Sequence, residues 1–215
     1  MKAKKDNLTG WELSIPVMSS IDLAYDALKP NDFKWLKKAC KKARENKKES
    51  NHKLAGHLKE EYYIDERNDK FDKFIFHLIE NSPLKNYLQR LKVLTENRPL
   101  VLDTLWVNYQ NKYEFNPMHD HAGVFSFIIF VQIPYDLKKE DECFPKVVDS
   151  RFSTSRTEFI ITDMLGNITH KILEVDKSFE GKIVMFPAQL KHQVYPFYTS
   201  DNHRITVSGN LRIKV

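Results

Sequence analysis

Gly181-Lys182-Ile183-Val184-Met185-Phe186-Pro187-Ala188-Gln189-Leu190-Lys191-His192-Gln193-Val194-Tyr195-Pro196 reads as a hydrophobic strand ending in Phe-Pro, a short loop, and a second strand that opens on a histidine. Glycine and proline bracket the pair, as turn residues do at strand ends. The same grammar repeats outward from this stretch, from residue 100 to the end. Residues 101–109, 125–133, 158–162, 170–175, 182–186, 192–195 and 204–213 are rich in β-branched and aromatic side chains, with turn signals between them. Leu165-Gly166-Asn167 marks the tip of a hairpin joining the third and fourth segments. This pattern predicts a two-sheet roll or sandwich rather than a parallel βαβ sheet.

Ahead of residue 100 the periodicity is helical. Asn31 is a candidate N-cap for a helix carrying Phe33, Leu36, Ala39, Cys40 and Ala43 on one side. A shorter helix is expected over residues 53–62, and another over 68–79 with Phe71, Phe74, Ile75, Leu78 and Ile79 at helical spacing. Ser82-Pro83 punctuates it, and Leu84, Tyr87, Leu88 and Leu91 continue the pattern as a further helix. Residues 12–17 read as a short strand that Pro16 confines to an edge or a strand end. The expected fold class is therefore mainly β with a helical N-terminal layer (α+β). Residues 1–99 would form the cover and substrate-recognition region, and residues 100–215 the β core, in one compact unit.

The bulk numbers bound the class. A chain of 215 residues with 41% hydrophobic and 29% charged content is that of a globular protein long enough to bury a full core. The basic start is followed by no apolar run, so no secretory signal is expected, and no stretch approaches the roughly 18 apolar residues of a membrane span. Cys40 and Cys143 lack metal or redox spacing and read as reduced thiols, which suits a cytoplasmic protein. The net charge of +5 is concentrated in residues 34–48, where eight Lys/Arg stand against Glu45 alone. A solvated helix face is the preferred reading of that run, over a docking surface for nucleic acid.

The chemistry sits in three places. His119 and His121 occupy i and i+2 of an extended segment, so both imidazoles point the same way while Asp120 faces away. His192, arriving from a distant strand, would complete one face of a metal and leave the opposite face open, as oxygen chemistry at non-haem iron requires. Asp120 would accept a hydrogen bond from a ligand N–H, or become an alternative ligand if the backbone near Gly123 breaks the alternation. The other five histidines, His52, His57, His77, His170 and His203, read as surface or packing residues. In Arg204-Ile205-Thr206-Val207-Ser208-Gly209-Asn210 the residues Arg204, Thr206, Ser208 and Asn210 share one face. An arginine with a hydroxyl at i+2 can hold a buried carboxylate; the plainer alternative is a solvent-exposed strand face. Asn108 or Tyr109, on the strand before the histidine pair, would add a polar contact.

Trp106-Val107-Asn108-Tyr109, Phe115-Asn116-Pro117-Met118-His119-Asp120-His121-Ala122-Gly123 and Ser126, with Gly181, Phe186-Pro187, His192, Pro196, Arg204-Ile205-Thr206 and Asn210, resemble the 2-oxoglutarate/Fe(II)-dependent oxygenase superfamily. The resemblance is nearest to its small prolyl-hydroxylase-like branch of bacteria and phages, and spans residues 100–215. It implies a double-stranded β-helix, the cupin-like jelly roll. It implies Fe(II) and 2-oxoglutarate as cofactors, with O2 and a further substrate as partners. By motif, His119 is the first metal ligand, His192 the distal one, and Arg204 with Thr206 the cosubstrate pair. The departure is His121, where most members carry Asp or Glu. The implied activity is hydroxylation of a protein or peptide side chain, prolyl-type, or of a small molecule, with decarboxylation of the cosubstrate to succinate. Two other readings remain: a three-histidine cupin-type dioxygenase without a keto-acid cosubstrate, and a non-catalytic β-roll that binds through the basic helix.

Overall fold

The computed structural model describes residues 23–51, 54–87, 99–144, 154–163 and 165–214. Its elements in chain order are β1 (Ala24–Ala27), α1 (Pro30–Asn46), β2 (Glu60–Tyr63), α2 (Asp69–Glu80), β3 (Leu100–Gln110), β4 (Asn116–His119), β5 (Phe125–Gln132), α3 (Leu137–Glu142), β6 (Thr157–Thr162), β7 (Ile168–Leu173), β8 (Lys182–Pro187), β9 (Lys191–Val194) and β10 (Arg204–Ile213). The strand expected over residues 12–17, His52 and the helix continuing through Leu88 and Leu91 lie outside the described residues.

Helix α1 starts on Pro30, with Lys29 at the cap position and no side-chain cap bond. Asn31, expected to cap it, lies inside the first turn. Proline takes that place because its fixed φ suits a helix start and its missing N–H would have no partner there. Leu36, Ala39, Cys40 and Ala43 form the buried face, as their spacing predicts. Helix α2 begins at Asn68, whose side chain accepts from the backbone N–H groups of Lys70 (2.9 Å) and Phe71 (3.2 Å). The helix expected over 53–62 is absent from its described residues. Gly56 weakens helix there, and residues 60–63 instead pair with Trp106 to Tyr109 of β3. Tyr62 gains an edge contact to Tyr109 at 6.3 Å in the process.

Two antiparallel sheets make the roll. The larger has the order β1-β8-β5-β10-β3-β2, and the smaller β4-β9-β6-β7. The segments ahead of residue 100 thus add an edge strand at each side of the larger sheet. The β6–β7 turn is held by Asp163, whose side chain accepts from the N–H groups of Leu165 and Asn167. Gly166 there has φ of 82°, which glycine adopts without a Cβ penalty.

Side-chain alternation sorts the larger sheet into two faces. Phe125, Phe127, Ile129, Ile183, Met185, Val107 and Val207 pack outward, under Leu36, Phe71, Ile75 and Leu78 of the helices. Ile128, Phe130, Val184 and Phe186 point inward and meet Phe159 of the smaller sheet. The inward face of β3 and β10 is different: it carries Trp106, Asn108, Arg204, Thr206 and Ser208, and there the roll stays open as a cavity. Phe127, fully buried and 6.5 Å from the Phe71 ring, links sheet to helix. Replacing Phe127 with Ala is expected to lower the unfolding free energy by about 3–5 kcal/mol, read as a reduced urea midpoint.

Candidate metal and cosubstrate site

Strand β4 meets β9 with His119 directly opposite His192. That pairing fixes the distance between two histidines that are far apart in sequence. The chain then runs to His121, whose N–H donates to the Ala188 carbonyl at 2.8 Å, before turning through Gly123 into β5. Gly123 has φ of 107°, and a Cβ there would lie 2.5 Å from the Leu211 carbonyl oxygen. The three rings converge with centroids 5.0 Å (His119–His121), 4.3 Å (His119–His192) and 5.1 Å (His121–His192) apart. One nitrogen from each lies within 4.8 Å of the other two.

The tautomers of two of these rings follow from their neighbours. His119 Nδ1 lies 2.7 Å from the Pro117 carbonyl, and His192 Nδ1 lies 2.9 Å from the Leu190 carbonyl. A carbonyl oxygen only accepts, so each Nδ1 carries its proton and each Nε2 presents a lone pair. Burial lowers the pKa of all three imidazoles: His119 below its usual value, His121 to about 4 and His192 to about 3. For His121 and His192 the charge on His119 adds to the effect. Neutral nitrogen donors of this kind suit iron and other imidazole-binding transition metals. Asp120 is exposed and pairs with Lys191, on the opposite side of the strands from the imidazoles. His121 also packs 5.9 Å from the Trp106 ring.

Arg204 is 1% exposed. Its Nη2 donates to Thr157 Oγ1 at 3.0 Å and its Nη1 to the Ser155 carbonyl at 3.3 Å. Among the described residues its Nε has no partner and no carboxylate bonds to it. Thr206 Oγ1 accepts from Asn108 Nδ2 at 3.2 Å, which leaves its own O–H free to donate. Ser208 lines the same cavity. Tyr109 does not: the alternation that turns Asn108 inward sends Tyr109 outward, against Tyr62 and His203. Asn210 likewise bonds to Ser126, its Oδ1 accepting at 2.8 Å.

Glu61 is the residue that sequence reasoning missed. It lines the cavity from β2, is 1% exposed, and neither carboxylate oxygen has a hydrogen-bond partner among the described residues. Burial, reinforced by the charge of Glu114, pushes its pKa up to about 7. The available signal was the pair Glu60-Glu61: in a strand, adjacent carboxylates must part. Glu60 turns out to Arg44, with N···O distances of 2.7 and 2.8 Å, and Glu61 turns in.

Residues 104–210 match the family model described as "Putative 2OG-Fe(II) oxygenase". No curated protein matches the chain by sequence. Among solved structures, a Pseudomonas putida prolyl-4-hydroxylase is similar, with 12% identity, 92% of this chain and 96% of that one covered, and a TM-score of 0.53. OsALKBH1 is similar with 12% identity, 87% and 97% coverage, and a TM-score of 0.52. These likenesses establish the fold, a double-stranded β-helix. Through residues 104–210 the chain belongs to the 2-oxoglutarate/Fe(II)-dependent oxygenase superfamily. It is a dioxygenase whose cofactors are Fe(II) and 2-oxoglutarate and whose partners are O2 and a further substrate.

Keeping imidazoles neutral has a measurable cost in acid. Without metal, the unfolded chain protonates His121 and His192 below about pH 6.5, while the fold holds them neutral until about pH 4 and 3. Their contribution to stability therefore falls as pH drops through that window. The thermal midpoint of metal-free wild type is expected to fall more steeply from pH 6.5 to 4 than that of the His121→Gln/His192→Gln double variant. Parallel curves would contradict the assignment of buried neutral rings.

Proposed function

We propose that His119, His121 and His192 hold Fe(II), and that Arg204 with Thr206 grips the distal carboxylate of 2-oxoglutarate. One observation carries the reading: three convergent imidazoles and a buried guanidinium with no carboxylate partner among the described residues share one cavity wall. A buried arginine with no acid partner is costly, so a ligand carboxylate is the group that would balance it. The backbone carbonyls of Pro117 and Leu190 fix two ring orientations, which keeps the donor set in place before a metal arrives. Asp120 acts outside the ligand set, through Lys191. Ser208 and Asn108 complete the polar wall beside the cosubstrate.

When bound, Fe(II) and 2-oxoglutarate supply O2 activation coupled to decarboxylation to succinate and hydroxylation of a C–H bond. The protein's part is to orient the keto acid by its far end, and to screen the site from water with Trp106, Ile128, Val194, Leu54, Ala55 and Leu58. The last three residues come from the segment ahead of residue 100, which supports residues 1–99 as a cover and substrate-recognition region over a core of 100–215. The substrate is a protein or peptide side chain, by analogy with the prolyl-4-hydroxylase of like fold, or a small molecule. Free Cys40 and Cys143 support a cytoplasmic setting. Among the described residues no helix is long and apolar enough to cross a membrane.

The decisive assay is succinate formation with Fe(II), 2-oxoglutarate and O2 supplied and withheld in turn. Turnover should require all three and vanish in His192→Ala. Arg204→Gln should raise the 2-oxoglutarate KM roughly 30-fold or more, as the loss of a charged hydrogen-bond partner at about 2–5 kcal/mol predicts. A variant with unchanged KM would favour a three-histidine dioxygenase that uses no keto acid.

A further inference from the structure

We propose that Glu61, with Asn108 beside it, selects the primary substrate by accepting hydrogen bonds from a cationic nitrogen group, ammonium or guanidinium, that the substrate carries into the cavity. The inference rests on the oxygenase reading above and names the substrate class of that same site. Glu61 and Asn108 are Cα partners across β2 and β3, so their side chains lie on one face about 5 Å apart. Both line the cavity. Both oxygens of Glu61 and Oδ1 of Asn108 are buried without a donor among the described residues. Three orphan acceptors in one place match the three N–H donors of an ammonium, or one edge of a guanidinium.

The cavity's own arginine does not supply those donors. Asn108 is in turn the Cα partner of Thr206, so Glu61 lies two strand spacings, about 10 Å, from β10. Arg204 sits at another level of β10, opposite Gln110, and spends its Nη groups on Ser155 and Thr157. Among the described lining residues Arg204 is the one with a fixed positive charge. Glu114 adds a second negative field at the Glu61 end. The chain also keeps room for this carboxylate: a Cβ at Gly56 would lie 2.9 Å from Glu61 Oε1 and 3.2 Å from Asn116 Oδ1. A neutral structural carboxyl would still need a hydrogen-bond partner, and Glu61 has none among the described residues. Buried groups left in that state are the ones a ligand completes.

The test uses the full chain loaded with Mn(II), with binding measured by calorimetry. The probes are blocked tripeptides, acetyl-Gly-X-Gly-amide, with X lysine, arginine, glutamine or norleucine. Wild type is expected to bind the lysyl or the arginyl peptide roughly tenfold more tightly than the norleucyl one, a difference of about 1.4 kcal/mol. Glu61→Gln should bring the four within about threefold of one another, and Glu61→Asp should keep part of the preference. Equal binding of the four peptides by wild type overturns the proposal, and so does a cationic preference that survives Glu61→Gln. The wild-type panel decides alone if the variants fail to fold. Binding of 2-oxoglutarate to the same wild-type sample reports separately on the oxygenase reading. Its failure with cationic selectivity intact removes that reading, whereas the reverse result removes the Glu61 subsite.

Discussion

The pairing of β4 with β9 is the constraint on which the site depends. Only four residues long on each side, it sets His119 opposite His192 and so converts a sequence separation of 73 into a ring contact of 4.3 Å. The described strands between those histidines serve that closure. Strands β5 and β8 run back across the larger sheet, and β6 extends the smaller one with Phe159 opposite His192. Phe159 and Phe186 then press on the His192 ring from the dry side, at 5.9 and 4.8 Å. The ring therefore has little freedom except toward the cavity.

That cavity concentrates polar groups that the rest of the fold does not satisfy. Arg204 Nε, Asn108 Oδ1 and both Glu61 oxygens are buried without partners among the described residues. Each carries a desolvation cost of the order of 1–3 kcal/mol or more. The two apolar layers on either side of the larger sheet offset it. Fully buried Phe71, Phe125, Phe127, Phe130, Phe159 and Phe186 each contribute about 1.5–3 kcal/mol relative to exposure. Stability thus resides in the outward face and the closed end of the roll, and binding capacity in the open end. A ligand that satisfies the orphan groups would add to stability as well as bind.

Much of this was legible in the sequence because period-two alternation is a local property. The strands over residues 100–215, the inward set Arg204, Thr206 and Ser208, and the outward turn of Asp120 all follow from it. Asn68 and the Leu36–Ala43 stripe were legible for the matching helical reason. What failed was context. Residues 60–63 carry no strong strand signal of their own; they become a strand because β3 offers an unpaired edge, and a sequence reader without β3's partner cannot see that. Glu61 was lost with that strand, since a helical assignment places it on a surface. Tyr109 was offered as a site residue beside Asn108 for a smaller reason. It adjoins Asn108, and only the choice of strand phase decides which of the two faces the cavity.

The same phase argument bears on the proposed metal set. Were β4 to slip by one residue, His119 would turn outward and its pairing with His192 would be lost. Lys191 opposes that slip from β9, where it neighbours His192 and pairs with Asp120 on the exposed side. On the proposed reading the segment therefore offers its two imidazoles to the metal and its carboxylate to Lys191. With His192 completing the set, all its donors are neutral, and no ligand charge offsets that of a divalent ion. The negative charge would then come from the keto acid that Arg204 is proposed to hold. In a site of this kind the cosubstrate supplies part of the electrostatic balance as well as the reducing equivalents, so metal and keto acid should favour each other's binding through reciprocal linkage.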